Sequence, residues 1–150
     1  MSLKEVINQE LKDSMKSGNK IRLETIRSIR ALILEFEKSG IGKELTTEDE
    51  LKMLISASKK RKESIEQFRN AGRIELAEKE ETELKIIEEF LPKQLSVEEV
   101  TNEIKKIAAE LGAKSKEDFP KLMPAAVKAL KGKADGKLIK EIVEKILGIN

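Results

Sequence analysis

From Leu3 to Leu147 the apolar residues of this chain recur three and four positions apart, and nowhere do they alternate as a half-buried strand requires. A stripe of that period is buried only by packing helix on helix, so the expected fold class is all-α. Local stop and start signals divide the stripe into seven segments. Ser2 with Glu5 forms a capping box ahead of Leu3, Val6, Ile7, Leu11 and Met15, and Gly18 supplies a left-handed stop. Asn19 can cap a second helix carrying Leu23, Ile26, Ile29, Ile33 and Phe36, ended by Ser39-Gly40. Ile41 to Leu45 reads as a loop. Thr46-Thr47 precedes the acidic turn Glu48-Asp49-Glu50 and opens a third helix with Leu51, Leu54, Ile55, Ile65 and Phe68, closed by Asn70-Ala71-Gly72. A fourth helix lies between Arg73 and Phe90, with Leu76, Ala77, Leu84, Ile87 and Leu91 on one side, and Pro92 stops it.

A fresh capping box, Ser96 with Glu99, follows that stop at once. The expected organisation is therefore an N-terminal four-helix unit over residues 1–91, a hinge over 92–95 and a small C-terminal three-helix unit over 96–150. The fifth helix carries Val97, Val100, Ile104, Ile107 and Leu111 up to Gly112. Ser115 and Asp118 start a sixth segment with Phe119, Leu122, Met123, Val127 and Leu130. Pro120 and Pro124 lie inside it, so it is expected to begin irregularly and become regular only near Pro124. Asp135 caps the seventh helix, whose face is Leu138, Ile139, Ile142, Val143, Ile146 and Leu147.

Composition narrows function by exclusion. The 150 residues include neither cysteine nor histidine, which removes thiolate nucleophiles, imidazole bases and the usual zinc ligands. No stretch approaches the roughly 20 apolar residues of a membrane span, and the first turn is amphipathic rather than a signal core. A soluble, cytoplasmic protein is expected. Lys and Arg number 30 against 28 Asp and Glu, so any contact with nucleic acid must come from a local patch. There is no Trp or Tyr, and the four Phe fall at or beside apolar positions, so base-stacking platforms are missing. Nucleic acid, if bound, would be met through phosphates and shape.

Three stretches are candidates for function. Lys59-Lys60-Arg61-Lys62 is the densest basic run, but helical neighbours point about 100° apart, which favours a solvated face paired with Glu63 and Glu66. Ser58, Arg61 and Lys62 nevertheless interrupt an apolar line, marking either a groove or the flared edge of a bundle. The acidic face of helix four, with Glu75, Glu78, Glu80, Glu81 and Glu83, lacks histidine and an inward pair of carboxylates. No metal is expected there; complementarity to the basic run of helix three is. Lys131-Gly132-Lys133-Ala134-Asp135-Gly136-Lys137 combines free backbone, positive charge and a helix N-terminus, which suits a phosphate. It matches no nucleotide-binding loop, so no cofactor is expected, and it reads equally as a plain helix connector capped by Asp135. Residues 114–140 hold eight lysines and three acids.

Across essentially its whole length the chain resembles the YqeY family. The carriers are Arg22-Leu23 through Ile26-Arg27, Arg61-Lys62-Glu63-Ser64 with Phe68, Ala71-Gly72-Arg73 with Leu76, Phe90-Leu91-Pro92-Lys93-Gln94-Leu95-Ser96, and Lys131-Gly132-Lys133-Ala134-Asp135-Gly136. One departure is visible: Phe119-Pro120 and Met123-Pro124 stand where relatives often show Met-Gly pairs, so the start of helix six is expected to differ in shape. The YqeY fold is shared with the C-terminal part of the B subunit of glutamine-dependent aspartyl/glutamyl-tRNA amidotransferases, which are carbon–nitrogen ligases. The resemblance implies a helical module that helps hold tRNA while other domains do the chemistry. On that basis the chain is expected to be a stand-alone tRNA-binding or amidotransferase-associated accessory protein with no catalytic residues of its own. The expected RNA-contacting residues are Lys128, Lys131, Lys133, Lys137 and Lys140; amidotransferase subunits or other translation proteins are further partners, and membranes and DNA are not. The alternative is a translation-linked protein–protein adaptor working through the faces of helices three and four.

Overall fold

The computed structural model describes residues 1–39 and 44–149. Its elements are α1 (Leu3–Ser17), α2 (Lys20–Lys38), α3 (Thr47–Asn70), α4 (Ile74–Glu88), α5 (Val97–Leu111), a 3-10 turn over Lys116–Asp118, α6 (Phe119–Leu130) and α7 (Gly136–Ile146). The all-α expectation holds, with seven α-helices and no strand among the described residues. Gly40, expected to end the second helix, and Ile41 to Lys43 of the expected loop lie outside the described residues.

The chain folds as two compact units, Met1–Leu91 and Pro92–Asn150. In the first, α1 pairs with α2, α3 with α4, and α2 also lies against α4. Its core is Leu3, Ile7, Ile26, Ile29, Ile33, Leu54, Ile86 and Ile87. The helix ends follow side-chain chemistry: Ser2, Asn19 and Thr46 accept from the amides of Glu5, Arg22 and Asp49. At the α3–α4 turn Gly72 takes φ 73°, and the amides of Gly72 and Arg73 return to the carbonyls of Arg69 and Phe68 at 3.0 and 2.8 Å. That is a Schellman closure, open to glycine because a side chain is strained at positive φ.

The second unit packs α5, α6 and α7 around Val100, Ile104, Leu122, Ala126, Leu130, Ile139, Val143 and their neighbours. Helix six begins earlier than expected. Asp118 Oδ2 accepts from the amides of Lys114 and Ser115 at 2.9 and 3.1 Å, the 3-10 turn makes the irregular start, and regular α-helix runs from Phe119. Pro120 occupies the first turn and Pro124 sits inside the helix. Burial decides this: Leu122 and Ala126 are fully covered, and a buried Leu contributes about 1.5–3 kcal/mol, comparable to the roughly 3 kcal/mol cost of an interior proline.

Pro124 is exposed, and its ring denies the Pro120 carbonyl an amide partner four residues on. Pro124→Ala is therefore expected to raise the stability of the second unit by about 1–2 kcal/mol, after allowing for the greater freedom of the unfolded chain. Urea denaturation followed by circular dichroism checks this, and an unchanged or lower midpoint would contradict it.

Candidate nucleic-acid interface

Charge is unevenly shared between the units. Residues 1–91 carry 18 basic against 19 acidic side chains, while residues 92–150 carry 12 lysines against nine acids. Three arginines of the first unit, Arg22, Arg61 and Arg69, are engaged in ion pairs between helices, while Lys59 and Lys60 of the basic run are exposed. Arg22 donates through Nη1 to Glu89 at 2.8 Å and through Nη2 to Glu10 at 2.7 Å, tying α2 to α1 and to the end of α4. Both carboxylates hold its guanidinium above the usual range, Glu89 more strongly than Glu10.

Arg61 explains the polar break in the α3 stripe. Its Nε lies 3.2 Å from Glu83 and 3.6 Å from Glu80, and its Nη2 reaches Ser28 Oγ at 3.5 Å. Ser58 and Glu83 are buried beside the apolar core. Burial raises the Glu83 carboxyl above the ordinary glutamate range; Arg61 opposes the shift and Glu80 adds to it. Arg69 pairs with Glu81 farther along the same two helices. Acids of α4 and arginines of α3 thus neutralise one another, as complementarity of the two faces requires. Arg61 meets Glu80 and Glu83 of α4 rather than Glu63 and Glu66 of its own helix, the partners expected from sequence. Among the described residues no cluster of three or more Asp or Glu could hold a metal ion.

The second unit carries the candidate interface, in the connector between α6 and α7. Lys131 adopts φ −55° and ψ 123°, Gly132 has φ 78°, and the Lys133 amide donates to the Leu130 carbonyl at 2.9 Å. These are the marks of a type II turn, in which the third residue needs positive φ and hence glycine. The turn is held from the other end of the unit. Gln94 Nε2 donates to the Gly132 carbonyl at 2.6 Å and to the Pro92 carbonyl at 2.9 Å, and the Leu95 amide donates to the Lys133 carbonyl at 2.9 Å. Gly132 is buried while Lys133 is exposed.

The five expected RNA-contacting lysines fall on this end of the unit but are not equivalent. Lys131 and Lys133 flank Gly132 in the turn. Lys128 is exposed in the last turn of α6, and Lys137 and Lys140 are exposed on α7. Lys140 pairs with Glu144 at 3.8 Å, so its charge is partly neutralised. Lys121, one of the eight lysines counted in 114–140, donates to the Leu111 carbonyl at 2.9 Å and closes α5. The amides of Lys133 and Ala134 bond the Leu130 carbonyl, and that of Lys137 bonds Asp135 Oδ1 at 3.3 Å, so the connector offers fewer spare amides than its glycines imply. Positive side chains, rather than a backbone cradle, are what this loop presents. Gln94 and Leu95 were visible in sequence only as part of the Pro92-Lys93-Gln94-Leu95-Ser96 pattern; their partners lie 38 residues on, beyond the reach of any local rule.

Fold and loop together define a class: an all-helical protein of two units whose second unit carries a glycine-centred lysine turn bonded to the segment that opens it. The chain belongs to the YqeY-like protein family, whose pattern it matches over residues 4–147. Its relatives include the protein C22F3.15 of Schizosaccharomyces pombe, 43% identical over 96 residues that cover 63% of this chain and 76% of the yeast protein. Another is the altered inheritance of mitochondria protein 41, mitochondrial, of Pyrenophora tritici-repentis, 32% identical over 145 residues that cover 95% of this chain and 79% of that protein. No helix among the described residues is long and apolar enough to cross a membrane.

Proposed function

We propose that this chain is a tRNA-binding module, working alone or beside a tRNA amidotransferase in the cytoplasm, and that it meets RNA through the α6–α7 end of its second unit. The observation that carries the reading is the Lys131-Gly132-Lys133 turn: two lysines set around a buried glycine, with Lys128 before them and Lys137 after. A turn fixed by hydrogen bonds spends little backbone ordering entropy when phosphates arrive, and flexible point charges suit a backbone whose sequence is not being read. The lysine excess of residues 92–150 and the ion-paired arginines of the first unit support the same assignment. The resemblance to the C-terminal part of the tRNA amidotransferase B subunit, drawn from the sequence motifs, suggests the choice of tRNA among RNAs.

Filter binding of the purified protein to total tRNA across a salt series tests the proposal. Lys131→Gln, Lys133→Gln and Lys137→Gln together should weaken binding about equally for all tRNAs and reduce the salt slope by roughly one unit per lost phosphate contact. Helical content should not change, because the three side chains stand outside the apolar faces. Wild-type affinity and slope in the triple variant would eliminate this site. No binding by the intact protein at low salt would favour a protein–protein adaptor instead.

A further inference from the structure

We infer that Gln94 is a positioning residue for the lysine turn, so that the segment entering the second unit sets the arrangement in which Lys131 and Lys133 meet RNA phosphates; this rests on the RNA-binding reading above. Both hydrogens of the Gln94 carboxamide nitrogen are used, one on the Pro92 carbonyl and one on the Gly132 carbonyl, at 2.9 and 2.6 Å. One residue later the Leu95 amide takes the Lys133 carbonyl at 2.9 Å. Two successive residues of one segment therefore bond two successive carbonyls of the turn.

The chemistry of the position is narrow. Two carbonyl oxygens converge on one group, which must supply two hydrogens from a single planar nitrogen. Glutamate in its place would set a carboxylate against two carbonyls, and methionine would match its length and give no donor. Gly132 is buried at φ 78°, so its carbonyl has little access to water if the amide leaves. A turn released from this contact would sample other conformations and would have to be ordered again by the ligand, which weakens binding without removing a charge.

Gln94→Met and Gln94→Glu, each checked for retained helicity by circular dichroism, test the inference with total tRNA as the probe. Gln94→Met is expected to bind about tenfold more weakly, as the re-ordering of a freed segment predicts, while keeping the wild-type salt slope because no charge changes; Gln94→Glu, which adds a carboxylate beside the lysines, should bind more weakly still. Hydrogen exchange in the RNA-free protein should quicken at the Leu95 and Lys133 amides and leave α1–α4 unchanged. Binding by wild type and variants alike would overturn the positioning role while leaving the RNA site standing. Unchanged exchange at both amides would overturn it without reference to RNA. Failure of the wild-type protein to bind tRNA would overturn both this inference and the function on which it rests.

Discussion

Arg61→Ala is expected to cost the first unit about 2–3 kcal/mol at neutral pH. Removing one partner of a buried ion pair costs about 3–5 kcal/mol because the other charge stays buried; with its side chain 25% exposed, Arg61 belongs below that range. The carboxylates it leaves behind are more covered than it is, Glu83 at 11% and Glu80 at 20% side-chain exposure. The sign of the pH dependence follows from the raised Glu83 carboxyl. A carboxyl whose folded-state pKa lies above its unfolded value binds its proton more tightly when folded. Its contribution is thus most favourable under acid conditions and is lost as pH rises through the folded pKa. Without Arg61 that pKa climbs further, so the deficit of the variant against wild type should shrink as pH falls from about 7 towards about 5. Urea unfolding at both pH values measures it. A deficit that grows on acidification would show that Arg61 is not compensating Glu83. Replacing the set together, Arg61→Met with Glu83→Leu and Glu80→Gln, should be close to neutral, since no buried charge is then stranded.

Ile104→Ala and Ile29→Ala should each cost about 2–5 kcal/mol, and we propose that each will unsettle a different half of the chain. Both isoleucines are fully buried, Ile104 within the core of α5–α7 and Ile29 within that of α1–α4. A unit of the size of Pro92–Asn150 has on the order of 3–9 kcal/mol of stability at most, so a loss of this size removes a large part of it. Hydrogen exchange of Ile104→Ala should show protection falling across α5–α7 while α1–α4 keep theirs, and Ile29→Ala should give the reverse. The same proposal makes the segment 92–95 the junction of the two units, its Gln94 and Leu95 anchored in the second, with limited trypsin cleavage at Lys93 giving two fragments that both remain helical. Uniform loss of protection in either variant, or a fragment that loses its helix, would refute separately cored units.

Helix boundaries were legible because they depend on neighbours in sequence. Ser2, Asn19, Thr46, Ser96 and Asp135 all cap the helices expected of them, since each cap needs only an amide two or three residues away. Periodicity also identified most of the core but overextended it. Met15, Leu76, Val97 and Val127 were assigned to inner faces and are exposed, whereas Ser14, Thr25, Ser58 and Glu83 are buried. A stripe records which side of a helix turns inward; how far the partner helix covers it depends on where that partner begins and ends. Helix six shows the converse limit: two prolines argued for a late start, and the burial of Leu122 and Ala126 overrode them.

By itself the sequence determined the all-α class, the seven helices and their caps, the family pattern and the lysine excess around the last connector, all of which are written in local spacing or composition. Tertiary structure alone decided that Arg22 and Arg61 serve packing, because their carboxylate partners lie on other helices. It also decided that Lys121 and Lys140 are partly spent, and that Gln94 and Leu95 hold the lysine turn. Hydrogen bonds and ion pairs act over about 3 Å, and residues dozens of positions apart come within that distance only after the cores have formed.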